Sequence, residues 1–147
     1  KITYNMITDY WKDTGTPEDI INANRVILEN LIPEFKGKKA STVSIEGNVS
    51  TGDETLVEDQ VKIIGPVIIG NKCKISGNTI IGPNTSIGDE CIISGGIIKD
   101  SIIMNNCEIE KDVNIRNSII SSNSSIKQNK TKNEQVFLLG EGTKVSF

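Results

Sequence analysis

An aliphatic residue recurs every six positions along the middle of the chain, and this period limits the possible folds more than any other feature. From residue 45 to residue 93 each of these positions holds Ile or Val, with one departure at Thr51. A period of six does not follow the 3.6-residue period of a helix face, whereas short strands separated by turns accommodate it. The series consists of Ile45, Thr51, Val57, Ile63, Ile69, Ile75, Ile81, Ile87 and Ile93.

A second series lies four positions after the first and holds mostly small or β-branched residues. All three cysteines of the chain, Cys73, Cys91 and Cys107, belong to it. A small residue at a regular position of a repeat packs readily inside the fold, and none of the cysteines has the CxxC spacing of a redox or metal motif. The pattern therefore predicts that the cysteines are inward-facing packing residues.

The period slips by two residues near Gly95 and Gly96 and by one residue further on. The aliphatic series resumes as Ile97, Ile103, Ile109 and Ile115, and after the second slip as Ile120 and Ile126. Three such hexads make a triangular coil, and stacked coils pair their strands in parallel at ~4.8 Å. Residues 42–126 are thus predicted to form a parallel β-helix of about five coils, with the Ile series from Ile63 to Ile93 pointing inward.

The segment before the repeats has a different pattern. Residues 1–8 alternate as a short strand would, and a turn over residues 9–15 follows. Thr16 suits a helix N-cap and Pro17 the first helical position. The helix is expected to run to about Leu31 and to end before Pro33. Its predicted apolar stripe comprises Ile20, Ala23, Ile27 and Leu31.

The composition excludes several classes of function. The net charge is −3 and no basic stripe is present, so we expect neither a nucleic-acid partner nor an anionic membrane. The apolar runs are too short for a membrane span, and an odd number of cysteines favours free thiols in the cytoplasm. Aromatic residues make up only 4% of the chain, so the core must be aliphatic. Histidine, the commonest general base and metal ligand, is absent from all 147 residues.

The stretch TDYWKDTGTPEDIINANRVIL resembles the end of the catalytic domain of sugar-1-phosphate nucleotidylyltransferases, above all glucose-1-phosphate thymidylyltransferases. The resemblance is carried by Trp11, by Asp13-Thr14-Gly15-Thr16 and by Ala23-Asn24. The repeats resemble the hexapeptide-repeat, left-handed parallel β-helix that the long form of this family carries at its C-terminus. The stretch from Leu139 to Val145 is also similar to the end of that long form.

The resemblance implies a fold that is mainly β, a left-handed parallel β-helix preceded by a short strand and one α-helix from the end of an α/β nucleotidyltransferase domain. Residues 1–35 would be the end of the catalytic domain, 36–41 a linker, 42–126 the β-helix, and 127–147 a loop with C-terminal strands that cover the open end of the solenoid. In the family the motif aspartate is one of two carboxylates that hold a catalytic Mg²⁺, and the aromatic residue lies by the sugar-phosphate site. Those roles would fall on Asp13 and Trp11.

The family's Gly-rich nucleotide-binding loop and its partner carboxylate do not occur in these residues. The resemblance therefore implies the C-terminal part of a longer enzyme that joins a sugar 1-phosphate to a nucleoside triphosphate in nucleotide sugar biosynthesis, with this fragment inactive alone. It also implies a homo-oligomer, a trimer in preference to a dimer. An apolar interface could come from isoleucines outside the inward series, namely Ile64, Ile68, Ile80, Ile92, Ile98 and Ile102.

Other interpretations of these residues stay open. From its own surroundings Asp13 could be a turn residue and Trp11 a packing anchor. Glu18 and Asp19 suit the positive end of a helix dipole, and the charges at Asp89-Glu90, Glu108 and Lys111-Asp112 suit solvated corners. An acyl-CoA-dependent sugar acyltransferase and a purely structural oligomerising module are the alternative functions. The lack of histidine argues against the first in its usual form and excludes a three-histidine zinc carbonic anhydrase.

Overall fold

A computed structural model describes residues 16–110, 113–127, 138–139 and 144–146. In these residues the chain forms one helix, α1 (Pro17–Glu29), and then a series of short strands that wind as a parallel β-solenoid of about five coils. The fold is mainly β with the helix ahead of the strands, as the six-residue period and the capping residues predicted. The strands lie on three faces, and every pairing between coils is parallel.

The three faces are named in the order in which the chain first reaches them. The first face holds β1 (Lys38–Lys39), β4 (Leu56–Val57), β7 (Lys74–Ser76), β10 (Ile92–Ser94), β13 (Glu108–Ile109), β16 (Ser125–Lys127) and β18 (Lys144–Ser146). The second face holds β2 (Ser44–Glu46), β5 (Lys62–Ile64), β8 (Ile80–Ile81), β11 (Ile97–Lys99) and β14 (Asn114–Arg116). The third face holds β3 (Val49–Thr51), β6 (Val67–Ile69), β9 (Thr85–Ile87), β12 (Ile102–Ile103), β15 (Ile119–Ile120) and β17 (Leu138–Leu139).

The aliphatic series fills the interior of the prism, one residue from each face in each coil. The inward predictions are confirmed for a set that is at most 1% exposed: Ile63, Ile69, Ile75, Ile81, Ile87 and Ile93. Each of these side chains stacks on the equivalent residue of the next coil, as Ile63 does on Ile81 through the register of β5 and β8. Burying one aliphatic side chain of this size stabilises the folded state by ~1.5–3 kcal/mol, so the stacked columns supply the main driving force.

The repeat resumes after Gly95 and Gly96 at a different residue from the one predicted. Ile98, and not Ile97, pairs with Ile81 and is fully buried, so the prediction that Ile97 points inward is wrong. The corner between β10 and β11 has two residues, both glycines with left-handed φ angles of 94° and 89°, where the corner of the coil before has three. The steps from Ile93 to Ile98 and from Ile98 to Ile103 are each five residues long instead of six. Together they produce the slip of two residues.

Asparagine recurs at the corners for a backbone reason. Asn78, Asn106, Asn117 and Asn123 have φ angles of 60°, 57°, 49° and 64°. Among residues with a β-carbon, asparagine adopts this left-handed region with the least strain. The corners of the solenoid therefore account for asparagines that the six-residue aliphatic pattern leaves unexplained.

The first coil begins earlier than residue 42. Strand β1, Lys38–Lys39, lies within the segment predicted as a linker and pairs in parallel with β4, while Phe35 bridges to Thr51. The segment thus contributes to the first coil. At the other end β17 pairs with β15 and β18 pairs with β16, so both C-terminal strands that the sequence predicted add a rung to the solenoid.

Helix α1 starts where the sequence predicted and ends two residues before the expected Leu31. Asp19 N donates a 3.2 Å hydrogen bond to Thr16 Oγ1, which confirms Thr16 as the N-cap, and Pro17 follows as the first helical residue. At Asn30 the backbone leaves the helical region, with φ −101° and ψ 15°. Ile32 precedes Pro33, and the residue before a proline is disfavoured in a helix, so the turn cannot continue.

Candidate functional site

The two residues that carry the predicted active-site chemistry, Trp11 and Asp13, lie outside the described residues, and so does the predicted strand over residues 1–8. Their roles stay predictions. The described chain begins at Thr16, three positions after Asp13. The structure therefore describes two parts of the candidate site, namely the helix that directly follows the Asp-Thr-Gly-Thr motif and the surface on which that helix rests.

The helix rests on the third face of the solenoid through an apolar contact. Ile20 and Ile21 are buried against Ile102 of β12 and Ile119 of β15, which point outward from the prism. Ile27 and Met104 border this cluster. Because Ile102 lies under the helix and Ile98 lies in the core, the prediction that both are available for an oligomer interface is wrong.

The buried side of the helix also differs from the predicted stripe. It comprises Ile20, Ile21, Asn24 and Leu28, whereas Ala23 and Ile27 are only partly buried. Leu31, the last residue of that stripe, is buried but follows the helix end. The difference arises because a polar residue, Asn24, occupies the centre of the contact, which a pattern of apolar residues alone does not detect.

Two hydrogen bonds hold the Asn24 side chain in this buried contact. Ser86 Oγ on β9 donates to Asn24 Oδ1 over 2.6 Å, and Asn24 Nδ2 donates to the backbone oxygen of Asn84 over 3.3 Å. Asn24 is 1% exposed and Ser86 is 0% exposed. A buried polar side chain without partners would cost about 1–3 kcal/mol, and here the solenoid provides both a donor and an acceptor.

A charged side chain, that of Arg25, lies at the edge of the same contact between the helix and the solenoid. Arg25 Nη2 lies 3.2 Å from Asp100 Oδ1 and donates a 3.4 Å hydrogen bond to Asn117 Oδ1. Asn84 Nδ2 donates to the same Asp100 oxygen over 3.2 Å. The Arg25 side chain is 39% exposed, and a pair this accessible contributes only about 0–1 kcal/mol. The buried hydrogen bonds of Asn24 therefore dominate the polar part of the contact.

The three cysteines stack in adjacent coils along one corner of the prism, and all are buried, which confirms their packing role. Their Sγ atoms donate to backbone oxygens, from Cys73 to Gly88 over 2.8 Å, from Cys91 to Met104 over 3.0 Å and from Cys107 to Ser121 over 3.2 Å. Hydrogen bonding to Cys107 and Cys73, followed by burial, raises the pKa of the central Cys91 well above its ordinary value. Cys91 is accordingly a neutral thiol.

Asp89, one of the charged corner residues, takes part in a ladder of hydrogen bonds between coils that the sequence interpretation missed. Asp89 Oδ1 accepts a 2.8 Å hydrogen bond from the backbone N–H of Asn71, and Asn71 Oδ1 accepts one of 2.8 Å from that of Asp53. Asn105 Oδ1 continues the series by accepting from Asp89 N over 2.9 Å. A Gly-Asx pair recurring every eighteen residues, at 52–53, 70–71 and 88–89, was the available signal. Lys111 and Asp112 lie outside the described residues.

The described residues show how far the chain itself could hold a metal. Within residues 16–110 and 113–127, no group of three or more His, Cys, Asp or Glu side chains has an arrangement that could hold an ion. The carboxylate of Asp13 has the hard oxygen ligands that Mg²⁺ prefers, but one such residue does not complete a site. Asp13 lies outside these residues, so its role as a Mg²⁺ ligand stays a prediction. The described part of the chain contains no helix with the length and hydropathy that a membrane crossing needs.

Comparison with known proteins extends this account. Residues 63–146 match the sequence profile of a family described as "GMPPB C-terminal domain". The chain is 36% identical over 143 residues to a "Glucose-1-phosphate thymidylyltransferase" of Streptomyces antibioticus, which covers 97% of this chain and 40% of that protein. It is 34% identical over 146 residues to a "Bifunctional protein GlmU" of Methanococcus vannielii, which covers 95% of this chain and 35% of that protein.

A plant relative matches over almost the same length. The chain is 29% identical over 141 residues to a "Probable mannose-1-phosphate guanylyltransferase 2" of Oryza sativa subsp. japonica, with 95% of this chain and 34% of that protein covered. The chain thus spans about a third to two fifths of the length of the curated relatives it matches. These matches include the segment that contains helix α1 as well as the solenoid.

Proposed function

The chain belongs to the GMPPB C-terminal domain family, and on that premise we propose that it forms the C-terminal portion of a sugar-1-phosphate nucleotidylyltransferase. The enzyme would join a sugar 1-phosphate to a nucleoside triphosphate and release pyrophosphate. Glucose 1-phosphate and dTTP are the substrates we propose first, because the thymidylyltransferase relative matches 97% of the chain. A related nucleotide sugar, as the name of the guanylyltransferase relative suggests, is the nearest variation.

One observation carries this proposal. The helix that follows the Asp-Thr-Gly-Thr motif is joined to the hexapeptide solenoid by the buried bond between Asn24 and Ser86. A solenoid that served only to assemble subunits would have no need to bury a polar side chain of a preceding helix. The end of the proposed catalytic domain and the solenoid are instead one packed unit, which supports a role for the solenoid in holding that end in place.

The proposed chemistry demands positioning and charge neutralisation from the protein. An oxygen of the sugar phosphate attacks the α-phosphorus of the nucleotide in line, and pyrophosphate departs with the electrons of the broken P–O bond. Asp13 would provide one carboxylate to Mg²⁺, and Trp11 would lie beside the sugar phosphate. When bound, Mg²⁺ supplies positive charge to phosphate oxygens. The described residues contribute the fixed start of helix α1, three positions after Asp13.

The test is a substrate survey with the longer protein that contains this chain. Pyrophosphate release would be measured with glucose, mannose and N-acetylglucosamine 1-phosphates, each against dTTP, GTP, UTP and ATP, in the presence of Mg²⁺. We expect turnover with one sugar phosphate and one or two nucleotides. The chain of 147 residues alone, assayed in parallel, should release none. Turnover by the chain alone, or acetyl-CoA-dependent acetylation of an amino sugar instead, would contradict the proposal.

We also propose that the solenoid assembles as a homo-oligomer, a trimer in preference to a dimer. The buried positions of Ile98 and Ile102 leave four of the six predicted interface isoleucines, Ile64, Ile68, Ile80 and Ile92. Ile92 is 46% exposed on the first face, and Ile64 and Ile80 are partly buried residues of neighbouring strands on the second. Sedimentation equilibrium should give a mass of two or three chains, and a monomer at tens of micromolar would contradict this assembly.

A cytoplasmic setting is part of the same proposal. Cys73, Cys91 and Cys107 are free thiols inside the solenoid. Thiols persist in a reducing compartment, where nucleotides and sugar phosphates would also be available as substrates. Cell fractionation that located the protein outside the cytoplasm would contradict this setting.

A further inference from the structure

Outward isoleucines are grouped on the second face of the solenoid. Ile97, which the two-residue glycine corner leaves on the outer side of β11, pairs in register with Ile80 of the coil before, and both side chains are partly exposed. Ile64 lies in the strand next to Ile80 and is also partly exposed. Apolar side chains grouped on an outer face are typical of a surface that another protein covers.

The corners of the prism differ in how well they suit contact with other copies of the chain. The corner between the second and third faces lies under helix α1, because Arg25 contacts Asp100 and Asn117 there. The corner between the third and first faces is acidic, and like charges around a symmetry axis repel one another. Its acidic side chains are Asp53, Glu54, Asp89 and Glu90. The corner between the first and second faces remains, and Ile80 and Ile97 border it.

The charges on the first and second faces are opposite in sign coil by coil. The pairs that share a coil are Lys38 with Glu46, Glu58 with Lys62, and Glu108 with Arg116. Two copies with parallel solenoids have equal coils at equal heights, so the first face of one copy would meet opposite charges on the second face of the other. This match fixes both the direction and the height of one chain relative to the next.

We propose that the first face of one chain docks on the second face of a second copy, beside the corner that these two faces share. The inference rests on the proposed homo-oligomer and assigns the surface that forms it. Ser76 of one chain lies against Ile80 of the next, and Glu58 lies against Lys62. A contact between two different faces closes a ring when it is repeated about an axis, which gives three chains in the proposed trimer.

The shape of the prism limits which residues take part. The faces of a triangular prism diverge from a corner, so the rows beside the corner make the direct contacts. Only long charged side chains, such as Lys38 and Glu46, reach across the widening gap between the rows further out. Two chains joined through their second faces alone would cover the same isoleucines but would leave Glu58 in solvent, and this difference distinguishes the two arrangements.

The experiment uses the longer protein with Glu58→Lys, Lys62→Glu, the double charge exchange and Ile80→Lys. Sedimentation velocity over a dilution series gives the mass and the concentration at which half of the assembly dissociates. The melting temperature of each variant shows whether it folds. All of the altered side chains lie on outer faces and are exposed or partly exposed, so the core of the solenoid is untouched.

Glu34→Lys is the matched control for the charge reversal. Glu58 forms an accessible ion pair with Lys74 of its own chain, at 3.4 Å, and Glu34 forms one with Lys36, at 3.6 Å. Both reversals therefore remove an ion pair within the chain. Glu34 lies before β1 and beside the third face, where its backbone oxygen accepts from the backbone N–H of Thr51.

We expect the unaltered protein to have the mass of three chains. Glu58→Lys and Lys62→Glu should each raise the half-dissociation concentration about 10-fold or more, since like charges then face each other. Ile80→Lys should raise it on the order of 100-fold. The double exchange should regain assembly because the exchanged charges attract again, and Glu34→Lys should leave assembly unchanged.

The same measurements contain the results that would overturn the inference. A monomer would do so, and so would an assembly in which Glu58→Lys behaved like Glu34→Lys. A double exchange that kept its melting temperature but did not regain assembly would also contradict the pairing of Glu58 with Lys62. None of these measurements uses turnover. A failure of the longer protein to release pyrophosphate would therefore contradict the proposed reaction and leave the docking surface to be decided by mass.

Discussion

Ser86 Oγ donates a 2.6 Å hydrogen bond to Asn24 Oδ1 and so joins strand β9 to helix α1 across 62 residues of chain. Both side chains are excluded from water. The bond links the two parts of the sequence that differ most in pattern, a capped helix and a six-residue repeat. Because a buried hydrogen bond is lost only with a large penalty, the two parts are expected to behave as one cooperative unit.

The stacked isoleucine columns should determine the stability of the solenoid. Replacing Ile81 with Ala removes a fully buried side chain between Ile63 and Ile98, and we expect it to lower the free energy of unfolding by ~2–5 kcal/mol. Leu56→Ala is the matched control, because that side chain is 40% exposed on an outer face and is not among the proposed interface residues. Urea unfolding followed by circular dichroism would measure both. Equal losses in the two variants would contradict the assignment of inward and outward rows.

The ladder of Asn and Asp side chains leaves no room for a β-carbon at Gly70, although the φ angle of Gly70 lies outside the left-handed region. A β-carbon at Gly70 would lie 2.2 Å from Asp89 Oδ1 and 2.7 Å from the carbonyl carbon of Gly88, and the backbone of the next coil cannot move away. At Gly77, which has φ +70°, the nearest atom would be 3.3 Å away.

We therefore expect Gly70→Ala to cost more stability than Gly77→Ala, for which left-handed strain of about 1 kcal/mol is the main term. Thermal unfolding of the two variants gives the comparison. A larger loss of stability in Gly77→Ala would show that the backbone φ angle, and not contact between coils, determines where glycine is required.

The central thiol of the cysteine column should resist modification in the folded chain. The raised pKa of Cys91 means that the unfolded chain loses this proton first, near pH 8.5, while the folded chain retains it to higher pH. The contribution of this group to the free energy of unfolding is thus complete below about pH 8.5 and is lost as the pH rises toward the folded pKa.

Site-resolved alkylation with iodoacetamide would detect this. We expect Cys91 to react far more slowly in the folded chain than in urea, with the difference widest above about pH 8.5. A Cys91 that reacted as fast in the folded chain as in the unfolded one would contradict both its burial and the direction of its pKa.

The sequence predicted the solenoid well because its signal is local and repeated. Each Ile from Ile63 to Ile93 occupies the same place in a six-residue unit, and the structure buries all of them. The division of the slip between Ile97 and Ile98 was not predictable in this way, since it depends on the number of residues that turn one corner. Two consecutive left-handed glycines make that turn with one residue fewer than the coil before.

The remaining differences between prediction and structure have another physical origin. Ile102 is on the outer side of its strand, as its place in the repeat predicted, and it is buried only because α1 covers it. Asn24 is polar and would ordinarily face water, yet a donor from Ser86 and an acceptor from Asn84 satisfy it inside the contact. Asp89, predicted as a solvated corner, accepts a bond from Asn71 in the neighbouring coil. All three cases depend on partners distant in sequence, which local patterns do not contain.

We propose that the Asp13 segment belongs to the active site of a nucleotidylyltransferase of which this chain is the C-terminal portion. The most direct measurement is Mg²⁺-dependent pyrophosphate release by the longer protein carrying Asp13→Asn, with Asp19→Asn as the control. Asp19→Asn also removes one negative charge, but from the exposed first turn of helix α1. We predict that Asp13→Asn lowers kcat by about 100-fold or more with an unchanged melting temperature, while Asp19→Asn retains near-normal turnover. Near-normal turnover in Asp13→Asn would contradict the claim and make Asp13 a turn residue.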